Sequence, residues 1–208
     1  TRLTSRRKST CAPSDPPESV ARIVGRGVEL LPGHDAGDSA RRRQVEAEQK
    51  RLRIWAREHG RLKHDLPEPD ARGGEHAVWF DEPTQRILRA THPTTRLGYG
   101  LAYGSYIQGA TPAEYLDRWA LHNHIFGDDV RLERVVVQTP DVIVITSQPF
   151  VRGRDAGDEE ILEFMTGFGF ERIGPGAFYH ADAGLLVDDL FPRNAKVSAR
   201  GVVLPIDG

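Results

Sequence analysis

The chain has 208 residues, of which 38% are hydrophobic and 28% are charged, and its formal net charge is -2. A chain of this length can bury a substantial core, and its composition excludes full disorder. The near-zero charge argues against polyanion binding through bulk charge, and the single cysteine, Cys11, excludes an intrachain disulfide framework and a cysteine zinc cluster. No apolar run approaches the roughly 20 residues of a membrane span.

Residues 1–38 are rich in Ser, Pro, Gly, Asp and Arg, a composition that predicts a disordered arm or linker. The chain begins with Thr1 rather than Met, and no apolar segment follows it. We therefore expect no signal peptide, and a chain that is a fragment or has been processed.

Residues 39–58 have the pattern of an amphipathic helix, which Ser39 can cap and Gly60 can end. The apolar positions on one side are Val45, Leu52, Trp55 and Ala56. The rest of the helix surface is charged, with Arg41, Arg42, Arg43, Glu46, Glu48, Lys50, Arg51 and Arg53. The pattern favours a helix that packs through its apolar stripe, and a nucleic-acid-binding helix is the alternative.

Residues 77–90 have a strand–turn–strand pattern and are preceded by Gly73-Gly74-Glu75-His76. Residues 93–110 are rich in Gly and Tyr, which predicts a loop. Thr111-Pro112-Ala113-Glu114 is typical of a helix start with a capping box, and that helix should continue to about Phe126.

The second half of the chain alternates short strands with one helix. The strands 132–138 and 142–146 are β-branched and apolar, which predicts interior strands, and residues 158–168 have a helical pattern. Further strands are predicted at 178–180, 185–187, 195–197 and 202–206. The order of elements indicates an α+β fold rather than an alternating parallel α/β fold.

The strongest chemical signal lies near the end of the chain. Asp189-Leu190-Phe191-Pro192-Arg193-Asn194 is followed, after an apolar strand, by Asp207-Gly208. Phosphoryl transfer needs a carboxylate that orients the acceptor hydroxyl and accepts its proton, and oxygen ligands for Mg²⁺. Asp189, Asn194 and Asp207 supply these groups if a hairpin brings the last two side by side.

This pattern resembles the catalytic loop of protein kinases, and Asp207-Gly208 is similar to a shortened form of their magnesium-binding Asp-Phe-Gly. In more detail, roughly residues 40–208 resemble the kinase domains of bacterial and phage polyvalent proteins. The segments that carry the resemblance are Gly73–Val78, Ala113–Leu116, Phe126–Asp129, Thr146–Phe150 and Asp189–Asp207.

The resemblance implies a protein-kinase-like fold with two lobes. The expected divisions are an N-terminal helix and linker over 39–70, an N-lobe with an antiparallel sheet and one helix over 71–150, and a reduced C-lobe over 151–208. ATP would lie between the lobes. Asp189 would orient the acceptor, and Asn194 and Asp207 would hold Mg²⁺.

The resemblance also assigns cofactor contacts. Gly73 and Gly74 would take the place of the glycine-rich phosphate loop, and Arg89 would contact phosphate. Glu114 could pair with Arg89, although its capping role is sufficient by itself. The segment formed by Gln148, Phe150 and Val151 would face the adenine.

Several departures from the kinase pattern are visible. Arg89 stands where a lysine is expected, and its planar fork is longer and differently shaped. The glycine loop is reduced to two residues, and Val187-Asp188 replaces the usual His-Arg before Asp189. Two alternatives therefore stay open: a pseudokinase that binds nucleotide, and a phage or mobile-element protein associated with nucleic acid.

The expected partners are ATP and a protein that supplies the Ser, Thr or Tyr hydroxyl. A membrane and a nucleic acid are not expected partners, and the sequence leaves the oligomeric state open. A protein of this kind would be cytoplasmic, either bacterial or delivered by a phage.

Overall fold

Helices and strands follow one another without a repeating βα unit in the computed structural model, which describes residues 34–92, 98–103, 107–138 and 140–206. The helices are α1 (His34–Glu58), α2 (Pro112–Phe126) and α3 (Asp158–Gly167), and a 3₁₀ turn covers Pro192–Asn194. The strands are β1 (Leu62–Lys63), β2 (Ala71–Arg72), β3 (His76–Asp81), β4 (Arg86–Thr91), β5 (Leu101–Tyr103), β6 (Ile107–Gly109), β7 (Arg131–Gln138), β8 (Asp141–Pro149), β9 (Gly153–Asp155), β10 (Glu171–Gly174), β11 (Ala177–His180), β12 (Leu185–Val187), β13 (Ala195–Ser198) and β14 (Val203–Pro205). The predicted α+β class is confirmed.

The largest sheet has six strands in the order β1-β7-β8-β4-β3-β2. β7 and β8 form an antiparallel hairpin, and β1 pairs with β7 in parallel. β8 lies inside the sheet and is buried without interruption from Val142 to Gln148. A run of β-branched apolar residues suits such a strand because both of its faces are covered. The prediction of an interior strand at 142–146 is confirmed.

The described residues divide into two compact units. The first comprises residues 34–79, 88–120 and 130–147, and the second comprises 80–87, 121–129 and 148–206. Each unit has its own apolar core, which is the physical requirement for an independently packed unit.

The core of the first unit forms where α1 and α2 meet the six-stranded sheet. Its largest fully buried side chains include Leu52 of α1, Tyr115 and Trp119 of α2, and Leu132 of β7. Burial of a Leu-sized side chain stabilises the folded state by about 1.5–3 kcal/mol. The predicted apolar stripe of the first helix therefore packs into a core, as expected from its spacing.

The core of the second unit lies under α3 and two three-stranded sheets, ordered β10-β11-β12 and β14-β13-β9. Ile161 and Met165 of α3 are fully buried there, one helical turn apart, with Phe178 of β11 and Leu190. Leu190 belongs to the segment that carries the predicted catalytic residues, so this segment is fastened to the core.

Three sequence predictions are wrong in detail. α1 begins at His34, so Ser39 lies inside the helix rather than at its cap; serine in a helix costs too little to end it. The predicted 93–110 loop contains the two short strands β5 and β6, which pair with each other. The predicted disordered arm lies outside the described residues as far as residue 33, and residues 34–38 belong to α1.

None of α1, α2 and α3 combines the length and the apolar character that a membrane crossing requires.

Candidate active site

The predicted catalytic segment is seated on the turn between β10 and β11. The N–H of Leu190 donates to the carbonyl of Gly176 at 2.9 Å. The Phe191 ring covers Gly176 so closely that a Cβ there would lie 2.9 Å from it, and Gly176 has φ +67°. Only glycine satisfies both conditions without strain, so the second unit positions this segment through close backbone packing.

Asp189 and Asn194 are in direct contact within this segment. The Asn194 amide Nδ2 donates to the Asp189 carboxylate at 2.9 Å and to the Asp189 carbonyl at 2.7 Å. The 3₁₀ turn between them begins with Pro192, and the N–H of Asn194 donates to the carbonyl of Phe191 at 2.8 Å. Asp189 has φ +59°, a left-handed conformation that aspartate tolerates better than most residues. The structure thus brings two of the three predicted catalytic residues together.

The Asp189 carboxylate has a second partner that the sequence analysis missed. Arg193 donates to Asp189 Oδ1 at 2.7 Å, while its guanidinium lies 4.8 Å from the centre of the Phe191 ring. The Asp189 side chain remains 59% exposed, so solvent or a substrate can still reach it. The four-residue spacing of Asp189 and Arg193 was the available sequence signal, because residues so spaced can meet in a tight turn.

The hairpin of β13 and β14 returns the chain to Asn194. The N–H of Ile206 donates to the carbonyl of Asn194 at 2.8 Å, so the residue before Asp207 is hydrogen-bonded to the predicted magnesium ligand. Asp207 itself lies outside the described residues. Within the part of the chain that is described, no group of three or more His, Cys, Asp and Glu side chains could hold a metal ion.

The side chain of Asn194 has an oxygen that could bind a magnesium ion. Both side-chain hydrogen bonds of Asn194 use the nitrogen Nδ2, which leaves the amide oxygen Oδ1 for another role. An amide oxygen and a carboxylate are hard oxygen donors, the type that Mg²⁺ prefers. Asn194 can therefore offer one oxygen of the type that Mg²⁺ prefers, and the other predicted ligand, Asp207, lies outside the described residues.

The side chain of Gln148, the first residue of the predicted adenine segment, is buried. It is 2% exposed, and its Nε2 donates to Asp128 Oδ2. The same carboxylate oxygen lies 3.0 Å from His122 Nε2, and Asp128 Oδ1 accepts from the Asp129 N–H at 2.7 Å. Burial raises the pKa of Asp128, but these hydrogen bonds outweigh it and lower that pKa below its ordinary value.

The next residues of the predicted adenine segment are more open. The Phe150 side chain is 44% exposed and meets Phe80 edge-on, with ring centres 5.1 Å apart. The N–H of Phe150 donates to the carbonyl of Gln85 at 2.9 Å, so this backbone donor is already engaged. Val151 is half-buried and follows the end of β8. Contact of this segment with an adenine stays a prediction.

The two predicted phosphate-loop glycines, in the first unit, form an exposed turn between β2 and β3. The N–H of Gly73 donates to the carbonyl of His76 at 2.8 Å and closes this turn, which we call the glycine turn (residues 73–76). A Cβ added at Gly74 would meet no atom within 4 Å. The backbone of Gly74 is therefore open to approach by a ligand.

Arg89 and Glu114, also in the first unit, do not form the pair that the sequence allowed. Glu114 accepts hydrogen bonds from Arg41, with Nη1 at 2.8 Å, and from the Thr111 N–H at 2.9 Å. Arg89 is 8% exposed, and its guanidinium lies 5.1 Å from the Trp119 ring centre. Glu114 lies in the first turn of α2, where its capping box with Thr111 is confirmed, and its contacts do not include Arg89.

The arginine-rich face of α1 is partly engaged in internal contacts. Arg41 donates to the Gly109 carbonyl as well as to Glu114, and Arg53 donates to the Pro140 carbonyl. These contacts hold α1 in the first unit, in agreement with the prediction that this helix packs against the rest of the protein. Two of the cations that a nucleic-acid-binding helix would present are thus committed elsewhere.

Residues 45–208 match the family of serine/threonine/tyrosine kinases found in polyvalent proteins. The match covers most of the chain, and the chain belongs to this family, which confirms the resemblance and gives it a protein-kinase-like function. No curated protein and no solved structure matches the chain.

Proposed function

We propose that the chain is a protein kinase that transfers the terminal phosphoryl group of ATP, with Mg²⁺, to a hydroxyl of another protein. Asp189 is the carboxylate that orients the hydroxyl and accepts its proton. Asn194 and Asp207 are the oxygen ligands of the magnesium ion. Gly73, Gly74 and Arg89 contact the phosphates of ATP.

One observation carries most of this proposal: Asn194 donates to both the carboxylate and the carbonyl of Asp189, at 2.9 and 2.7 Å. A loop that only needed to turn could use either bond alone. With both, the Asp189 carboxylate is held in one orientation toward solvent, which is what a group that must align an acceptor hydroxyl requires. The hydrogen bond from Ile206 to Asn194 supports a role of Asp207 beside it.

The catalytic contribution of these residues is positioning and charge. Arg193 and Asn194 both donate hydrogen bonds to the Asp189 carboxylate, which restricts the orientation in which it can meet the acceptor hydroxyl. When bound, Mg²⁺ supplies neutralisation of the negative charge on the ATP phosphates. Arg89 adds a permanent positive charge, because a guanidinium stays protonated.

The test is phosphate transfer from γ-labelled ATP to the chain itself and to a mixture of protein substrates. Asp189→Asn keeps the hydrogen-bonding shape but removes the base, and we expect a loss of at least about a hundredfold. Asp188→Asn is the matched control, since Asp188 is the neighbouring carboxylate, and it should retain activity. Loss in Asp188→Asn with activity kept in Asp189→Asn would show the assignment to be wrong.

A second function is favoured by one observation, the burial of Arg89 against Trp119 in place of the expected lysine. In that case the chain binds ATP as a pseudokinase without transferring phosphate. ATP with Mg²⁺ would then raise the melting temperature, while labelled phosphate would not be transferred. The kinase proposal expects both effects, and expects Asp207→Asn to reduce the thermal shift.

A further inference from the structure

Two consecutive residues after Gly74 are attached to the same turn of α2. Arg118 Nη2 donates to Glu75 Oε2 at 3.0 Å, and His76 Nε2 lies 3.1 Å from the hydroxyl of Tyr115. Tyr115 and Arg118 are three residues apart on the helix, so they lie on one face of it. The C-terminal end of the glycine turn is therefore attached to α2 by one ion pair and one hydrogen bond.

The Glu75–Arg118 pair differs from an ordinary surface ion pair. Its two side chains are only 26% and 25% exposed. The Arg118 guanidinium also lies 5.5 Å from the Tyr115 ring centre and 5.4 Å from the Trp119 ring centre. Partial burial and aromatic neighbours lower the local screening and restrict the arginine, so the pair is stronger than a fully solvated one.

The backbone at Gly100 also lies close to the Glu75–Arg118 pair. Gly100 has φ +100°, and a Cβ there would lie 3.1 Å from Arg118 Nη1 and 3.1 Å from Glu75 Oε2. Glycine at this position lets the backbone approach both charged groups. The pair therefore lies between the glycine turn and α2, with the backbone of Gly100 beside it.

Trp119 connects this arrangement to the other predicted phosphate contact. Its indole ring has the Arg118 guanidinium at 5.4 Å and the Arg89 guanidinium at 5.1 Å from its centre. The same stretch of α2 therefore contacts both the glycine turn and Arg89. A displacement of α2 would move both groups that are proposed to hold phosphate.

From these contacts we propose that Glu75 and Arg118 are positioning residues for ATP binding: their ion pair holds the glycine turn in the conformation that receives the phosphates. This inference rests on the proposed function. Neither residue touches the reacting atoms. Their effect is to restrict the motion of the glycine turn before nucleotide binds.

The test combines calorimetric titration of ATP and Mg²⁺ with amide hydrogen exchange of residues 73–76 in nucleotide-free protein. Glu75→Gln should raise the Kd of ATP about fivefold, speed exchange in the glycine turn, and leave the melting temperature nearly unchanged. The double variant Glu75→Gln/Arg118→Gln should resemble the single variants, because both remove the same pair. Glu68→Gln is the matched control, since Glu68 forms an exposed pair with Arg72 at 3.4 Å.

The outcomes separate the two proposals. Absence of ATP binding by the wild-type chain overturns the proposed function, whatever the variants do. If the wild type binds ATP but Glu75→Gln leaves both the Kd and the exchange rates unchanged, only the positioning role is overturned. An equal rise of Kd in Glu68→Gln also overturns it, because the effect would then be one of general charge.

Discussion

The carboxylate of Glu48 in α1 accepts a hydrogen bond at 2.9 Å from the N–H of Ala113, in the first turn of α2. Glu48 is 1% exposed, and its other oxygen accepts from Gln44 Nε2 at 2.9 Å. One helix thus supplies an N-terminal cap to another, with a carboxyl group at the positive end of the helix dipole. This contact ties the order of α2 to the presence of α1.

Replacement of Glu48 should therefore weaken the first unit. Glu48→Ala leaves the Ala113 N–H buried without this acceptor, and we expect the free energy of unfolding to fall by about 1–3 kcal/mol. Glu48→Gln keeps an oxygen acceptor and should cost less. Urea unfolding measures both, and Glu46→Ala is the control because Glu46 lies on the exposed side of α1. Equal losses for the two alanine variants would contradict the capping role.

In the second unit, Gly153→Ala should disrupt the pairing of β9 with β13. A Cβ at Gly153 would lie 2.2 Å from the Val197 carbonyl oxygen, a backbone atom that cannot move alone. We expect a loss of about 2–4 kcal/mol, measured by chemical denaturation. At Gly167, the last residue of α3, an added Cβ meets nothing within 4 Å. Gly167→Ala should be neutral or stabilise by up to about 1 kcal/mol.

The main strands and helices could be predicted because their signals are local. The β-branched runs of β7 and β8 and the capping box of α2 each occupy a few neighbouring residues. β1, β2 and β9 were missed because each has only two or three residues and exists through pairing with a partner strand. β1, for example, follows α1 and pairs in parallel with β7, on which its own short sequence gives no information.

Asp128 should make stability depend on pH in the acid range. Burial raises its pKa, but hydrogen bonds with His122, Asp129 and Gln148 lower it to below the ordinary value of 3.8. A carboxylate with a depressed folded-state pKa stabilises the protein above its unfolded pKa, and that contribution is lost as pH falls through the folded pKa. We therefore expect stability to decline below about pH 4.

Urea unfolding of wild type and Asp128→Asn between about pH 6 and pH 3 measures this contribution. Asp128→Asn should be less stable near neutral pH and should show a flatter decline on acidification. Glu163→Gln provides the control, because Glu163 is an exposed residue of α3. A wild-type decline that Asp128→Asn reproduces in full would assign the pH dependence to other groups.

Gly74→Ala should weaken ATP binding without lowering the stability of the fold. Because an added Cβ meets no protein atom within 4 Å, the melting temperature should stay within a few degrees of wild type. If phosphate oxygens approach this backbone, the methyl group obstructs them, and the Kd of ATP should rise about tenfold. Calorimetric titration measures the change, with Gly167→Ala as the control. An unchanged Kd would remove Gly74 from the phosphate contacts.

The candidate site could be predicted only where its residues are neighbours along the chain. Asp189 and Asn194 share one loop, and the turn chemistry of the intervening Pro192 brings them together. The partner of Glu114 is instead Arg41, from a helix 73 residues earlier, and no pattern within α2 indicates it. The Glu75–Arg118 pair was hidden for the same reason, since its two residues meet only after β3, β4 and α2 have packed.

The hydrogen bond between Ile206 and Asn194 closes the base of the β13–β14 hairpin, so its two ends stay at a fixed distance from each other. The tip of the hairpin, near Arg200 and Gly201, is exposed. Because the base is closed by this hydrogen bond, residues inserted at the tip would extend into solvent and leave the pairing at the base unchanged. A peptide tag could be inserted at this tip, and Ile206 would still be placed beside Asn194.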